Sequence, residues 1–199
     1  MTIDGLLRRY PVTDPGEDPG GPAASPVPAF LAAPFEAAAG RTLAHGLLRF
    51  HTPASAQESY AACVRLAGGI DGRYFPFAFD WAGRELLAGA DGVVVVDPAR
   101  GLATATGLDL DAWCAAAAEE DGDPFGAADF RAWRATYPGD PDPLGFDEVV
   151  GYRVPLLLGG EDDLANRERT DRRAYVDDCV AIARQVRKLP EGTVISGPA

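Results

Sequence analysis

Groups able to hold a metal or carry out nucleophilic catalysis are scarce in this chain. Its 199 residues include two histidines, His45 and His51, and three well-separated cysteines, Cys63, Cys114 and Cys179. No HExxH pattern or cysteine pair accompanies them, so the spacing encodes no zinc site. Both histidines fall on one predicted strand, where even spacing puts them on one face, and they read as partly exposed residues. Three cysteines leave one unpaired in any disulfide scheme; reduced thiols are expected, with Cys63 and Cys179 on buried helix faces. Gly-x-Ser-x-Gly is missing, which removes the usual nucleophile elbow. Neither Gly68-Gly69 nor Gly159-Gly160 is followed by Lys-Ser or Lys-Thr, so both read as turns rather than phosphate loops.

Long apolar runs are missing too. Val93-Val94-Val95-Val96 is among the longest and is far too short to cross a bilayer. The first residues carry no secretory pattern, and a soluble cytoplasmic protein is expected. Positive charge is in deficit: 18 Lys and Arg against 30 Asp and Glu give a formal charge of −12. Such a surface repels nucleic acid and anionic lipid and favours a basic partner. The same acidity also serves solubility.

What is present reads as one α+β domain, a twisted antiparallel sheet flanked by helices, over residues 29–199. A flexible Pro/Gly-rich arm is expected over 1–28, from the run Asp14-Pro15-Gly16 through Pro28. A short helix follows through Phe30, Leu31 and Phe35, stopping at Gly40. Thr42 to Phe50 reads as strand broken at Gly46, and Ser55 to Leu66 as a helix capped by Thr52 or Ser55. Tyr74–Trp81, Glu85–Leu87, Gly92–Val96 and Leu102–Thr106 read as strands joined by short turns, which implies antiparallel pairing. Helices are expected after Asp109 or Asp111 and through Phe125, Phe130 and Trp133. A strand over Gly151–Leu158 and a helix from about Thr170 to Lys188 complete the chain.

The most informative local motif is Asp80-Trp81-Ala82-Gly83-Arg84-Glu85. It has the chemistry of a hairpin corner: Asp80 accepts backbone N–H groups, Gly83 takes positive φ, and Arg84 bridges back to Asp80. Acidic pairs such as Asp80 with Glu85, or Glu161-Asp162-Asp163, serve acid/base catalysis only when held across a cleft. Trp113, Trp133 and Tyr137 are either core aromatics or interface anchors.

Two stretches, Gly40 to His51 and Phe77 to Glu85, resemble the SUKH-like immunity proteins of bacterial toxin systems. The run Gly151 to Asn166, with Glu168, Asp171 and Tyr175 and later Leu189 to Ile195, is similar to the C-terminal domain of immunity proteins paired with type VI secretion DNase effectors. Its most specific block is Pro155-Leu156-Leu157-Leu158-Gly159-Gly160. The resemblance implies a SUKH-like fold, no catalysis, no cofactor, and tight binding to a cognate protein toxin with a basic nuclease surface. It also implies structural roles for Asp80, Gly83, Arg84, Pro155, Gly159, Gly160, Asn166 and Asp171. The expected toxin-binding residues are the acidic loops, Glu119, Glu120, Asp121 and Asp123 with Glu161, Asp162 and Asp163. The alternative is a non-catalytic scaffold of the same fold with housekeeping partners.

Overall fold

The computed structural model describes residues 3–16, 26–119, 123–136, 142–190 and 193. Helix α1 (Ile3–Arg9) leads into β1 (Val12–Asp14), which pairs antiparallel with β2 (Thr42–Leu43). The expected mobile arm over 1–28 is therefore corrected for residues 3–14. Leu6 is 0% exposed, and Tyr10 packs edge-on against Phe125 with ring centroids 5.6 Å apart. Ile3, Leu6 and Tyr10 recur at helical spacing, a short apolar stripe that the neighbouring prolines and glycines hide in composition. Residues 17–25 lie outside the described residues.

A 3-10 turn (Ala29–Leu31) and α2 (Ala32–Ala38) place Phe35 against Phe75 of the sheet, and the chain turns at Gly40, φ +75°. Strand β3 (Leu48–Phe50) precedes α3 (Pro53–Leu66), whose N-cap is Thr52; the Thr52 hydroxyl accepts the Ser55 N–H at 3.1 Å. A meander follows: β4 (Tyr74–Asp80), β5 (Glu85–Gly89), β6 (Gly92–Asp97) and β7 (Leu102–Ala105). All seven strands form one antiparallel sheet in sequence order, as short turns between neighbouring strands require.

Both faces of this sheet are covered, which explains why β5 and β6 read as continuous apolar runs. Leu86, Ala88 and Val93 point into one core with Leu6, Leu31, Trp113 and Phe130. Their neighbours Leu87, Val94 and Val96 point the other way, toward Cys63, Leu66, Tyr175 and Cys179. The first core is closed by α1, α2, α4 (Leu110–Ala118) and α5 (Ala127–Arg134); the second by α3 and α6 (Arg172–Val186). Trp113 and Trp133 are buried in the first core, so they are not surface anchors. Tyr137 lies outside the described residues.

The C-terminal part differs from expectation in two places. The strand expected over Gly151–Leu158 is instead β8 (Glu148–Tyr152), a bend, and a 3-10 turn over Leu156–Leu158. Pro155 has no N–H for a ladder, and Gly159 ends the turn at φ +83°. Strand β8 pairs with β9 (Arg167–Asp171), an Arg-Glu-Arg-Thr-Asp strand with no apolar alternation to reveal it. Helix α6 then starts at Arg172, because the Asp171 carboxylate accepts the Ala174 N–H at 2.8 Å as its N-cap.

Candidate functional site

Asp80 and Arg84 build the corner between β4 and β5. The Asp80 carboxylate accepts the N–H groups of Ala82 and Arg84, both at 3.0 Å, and pairs with Arg84 Nε at 2.5 Å. Burial raises its pKa despite Arg84. Gly83 supplies φ +79°, which a side chain would resist. The carbonyl of Trp81, at this corner, accepts the N–H of Val150 at 2.7 Å. That bond joins the small β8–β9 sheet to the large one.

Beyond β8 the Pro155–Gly160 block forms a compact loop. Gly160 packs so close to the chain that an added Cβ would stand 1.9 Å from the Val154 carbonyl oxygen. Asn166 ties the loop shut: its Oδ1 accepts Val154 N–H at 2.8 Å, and its Nδ2 donates to the carbonyls of Val154 at 2.9 Å and Glu161 at 2.8 Å. Asp163 accepts the Asn166 N–H at 2.9 Å. Glu161, Asp162 and Asp163 are thereby held exposed on a fixed backbone.

Where the corner and this loop meet there is a cleft of about 230 Å³, lined by Trp81, Arg84, Arg100, Tyr152, Asp162 and Arg167 among others. The Arg167 guanidinium lies 3.9 Å from the Tyr152 ring centroid and 4.9 Å from that of Trp81. The Tyr152 hydroxyl donates to Asp162 and accepts from Arg167, while Arg100 Nη2 reaches Asp162 at 2.5 Å. The Tyr152 hydroxyl, with Arg100 and Arg167, holds the Asp162 carboxyl below its ordinary range. Burial and then Asp162 push the Tyr152 phenol up.

No protein-family model and no curated protein matches the sequence. Among solved structures the chain is similar to the crystal structure of Atu4351 from Agrobacterium tumefaciens. The two share 12% identity over 89% of this chain and 88% of that one, with a TM-score of 0.61. At that identity the likeness is one of fold.

A second polar cluster sits inside the molecule, between the sheet and helices α3 and α6. His51 Nε2 lies 2.8 Å from Glu85 Oε2, and His51 Nδ1 lies 2.9 Å from Ser55 Oγ. Glu85 Oε1 accepts Ser59 Oγ at 3.0 Å and Arg172 Nη1 at 3.1 Å. Burial alone would raise Glu85, but His51, Arg172 and Ser59 bring its pKa below the ordinary value. An ionised carboxylate has no proton to give, so the neutral imidazole carries its hydrogen on Nε2 and the Ser55 hydroxyl donates to Nδ1. Burial also keeps the His51 pKa low.

This is the connectivity of a serine, histidine and acid triad, and sequence spacing gave no hint of it. The position of Ser55 argues for structure over catalysis. Ser55 is 6% exposed, and its oxygen also accepts the Thr52 N–H at 3.0 Å within the α3 capping box. A nucleophile must reach its substrate, and this hydroxyl is enclosed and engaged. Arg49 and Arg172 lie on the ring of Phe79, 4.6 and 4.4 Å from its centroid, and burial lowers Arg49 to about 9.

His51 is thus fully buried, correcting its reading as partly exposed, and His45 shares no strand face with it. Asp80 and Glu85 are both buried, each with its own partners, rather than facing across an open cleft. Among the described residues no group of three His, Cys, Asp or Glu is placed to hold a metal. No helix there is long and apolar enough to cross a membrane. Of the expected acidic contacts, Glu119 and Asp123 are exposed near α4 and α5, and Glu120 and Asp121 lie outside the described residues. The structure brings Asp162 to the cleft, a position that its sequence neighbours did not single out.

Proposed function

We propose that this protein is an immunity protein that acts in the cytoplasm without catalysis. It binds and neutralises a cognate bacterial toxin, a nuclease of a type VI secretion or related polymorphic toxin system. The observation that carries the reading is the meeting of two sequence-distant blocks. The Asp80–Glu85 corner and the Gly151–Asn166 loop, both within stretches quoted above for their resemblance to immunity proteins, meet where the N–H of Val150, one residue before that loop, bonds to the Trp81 carbonyl, and Trp81 and Arg84 line one cleft with Tyr152 and Asp162. Together they hold an acidic loop beside an aromatic and arginine cleft.

Charge supports the same reading. The buried charged residues among those described are Arg49, Asp80, Glu85 and Arg172, two of each sign, so the interior absorbs none of the −12. A nuclease needs a cationic surface to hold phosphates, and a rigid acidic loop complements such a surface and speeds encounter. Asn166 fixes the loop before binding, which lowers the ordering cost of the complex. The SUKH-like assignment belongs to this proposal and rests on those same blocks.

The test is to co-express the full chain with the protein encoded by the adjacent gene and to score both complex formation and survival. A stable complex that rescues growth is expected. Failure to bind or protect, or turnover of a substrate by the chain alone, refutes the reading.

A further inference from the structure

The large sheet ends at β1 and β7, and the small sheet at β8 and β9. A strand at the end of a sheet offers unpaired N–H and C=O groups to any other chain, and proteins blunt such edges with proline, charge, bulges or cover. Strands β1, β8 and β9 are blunted in this way. Strand β1 lies between Pro11 and Pro15, carries Asp14, and shifts register between Val12 and Asp14. Strand β8 is docked on the large sheet through the bond from Val150 to Trp81, and β9 reads Arg-Glu-Arg-Thr-Asp.

Strand β7 has none of these devices. Residues 101–108, Gly-Leu-Ala-Thr-Ala-Thr-Gly-Leu, hold no charge and no proline, and the register of β7 against β6 runs without a shift. Leu102 is 57% exposed, more than any other large apolar side chain among the described residues. Thr104 and Ala105 are exposed as well. Which main-chain groups face outward follows from the ladder. Thr106 N–H donates to Val93 O at 2.9 Å, so by the alternation of an antiparallel pair Leu102 and Thr104 bond to β6, while Ala103 and Ala105 turn their N–H and C=O groups outward. Among the described residues no group bonds to them there.

We infer that β7 pairs antiparallel with β7 of a second copy of this chain, about a two-fold axis at Thr104, so that one sheet runs through both molecules. The strand is complementary to itself in that register. Ala103 of each copy lies opposite Ala105 of the other and exchanges N–H···O bonds with it, and Thr104 lies opposite Thr104, a favourable cross-strand pair. Leu102 stands diagonally across from the same threonine, on the same face, and is covered there. Charge sets where the copies meet. A chain of net charge −12 approaches its own copy without facing carboxylates only along a neutral stretch such as this one. Strand β7 contributes no residue to the cleft, so the contact is independent of the toxin reading.

Sedimentation velocity and cross-linking of the full chain test it. One short strand makes a small and weak interface, so a reversible monomer–dimer equilibrium is expected over about 5–500 µM chain. The neutral join holds or strengthens from about 50 to 500 mM salt. Thr104→Lys sets two like charges face to face and is expected to raise the dimer dissociation constant at least about tenfold; Thr104 is exposed, so the fold is retained. Thr104→Cys is expected to form a disulfide-linked dimer under oxidised glutathione, because the Cα atoms of such a pair lie about 4.5 Å apart. Cys63, Cys114 and Cys179 are buried and leave the parent unlinked, and Glu168→Cys on the exposed face of β9 is the control. A monomer throughout that concentration range overturns the inference. So does a dimer that Thr104→Lys leaves intact, or cross-linking no faster at position 104 than at position 168.

Discussion

The side chain of Asn166 bonds to the main chain of Val154 in both directions, accepting its N–H at 2.8 Å and donating to its carbonyl at 2.9 Å. A side-chain amide here does the work of a strand partner. Replacing it with Ala leaves Val154 N–H and the Glu161 carbonyl without these partners, so Asn166→Ala is expected to cost about 1–3 kcal/mol in denaturant unfolding. Hydrogen exchange should show faster opening of residues 154–166, and partner affinity should fall with it.

Gly160 and Gly68 give a paired test of packing. A Cβ at Gly160 meets the Val154 carbonyl oxygen at 1.9 Å, whereas one at Gly68 meets nothing within 4 Å. Gly160→Ala should lower the unfolding midpoint clearly, while Gly68→Ala stays within about 0.5 kcal/mol of the parent. Thermal melts of the two variants side by side check this.

The buried cluster predicts loss of stability in acid. His51 has a lowered pKa, so as pH falls below its ordinary 6.5 the unfolded chain takes up the proton first and the folded state loses ground. Glu85 is also lowered; its contribution is fully present above 4.5 and is lost as pH falls through its folded value. Asp80, raised by burial, works in the opposite direction near its ordinary 3.8. The melting temperature should therefore drop between pH 7 and pH 5. In His51→Gln that slope should flatten, although the variant is less stable throughout.

Removing one partner from the same cluster should be severe. Glu85→Gln removes the buried carboxylate from Arg172 and leaves it only the exposed Asp147 at 4.0 Å, and breaking a buried ion pair in this way costs about 3–5 kcal/mol. Ser55→Ala should cost less, and the two together should be non-additive, because His51 links them. A double-mutant cycle in urea measures the coupling.

Much of the fold is legible in the residues. Alternating aromatics mark β4, the glycines at 40, 83 and 159 mark turns, and the Asp80–Arg84 spacing encodes its own corner. Strand β9 is not legible, because Arg167 to Asp171 is polar throughout and its partner, β8, supplies the burial. The buried Ser55, His51 and Glu85 chain escapes the sequence because Glu85 lies 34 residues from His51 and only the sheet brings them together. Helix α1 was hidden by the composition of the segment after it. The acidic loop is visible as charge, but its attachment through Asn166 to Val154 appears only in three dimensions.

The central claim is recognition of a basic protein by the fixed acidic loop. It is tested most directly by the affinity of the full chain for the purified product of the adjacent gene, between about 50 and 500 mM salt, with and without Glu161→Lys. Glu161 is exposed, and only its carbonyl serves the loop, so the substitution changes charge while sparing the fold. The account predicts an affinity that falls with salt and falls at least about tenfold in the variant. A complex indifferent to both, or no complex even at the lowest salt, contradicts it.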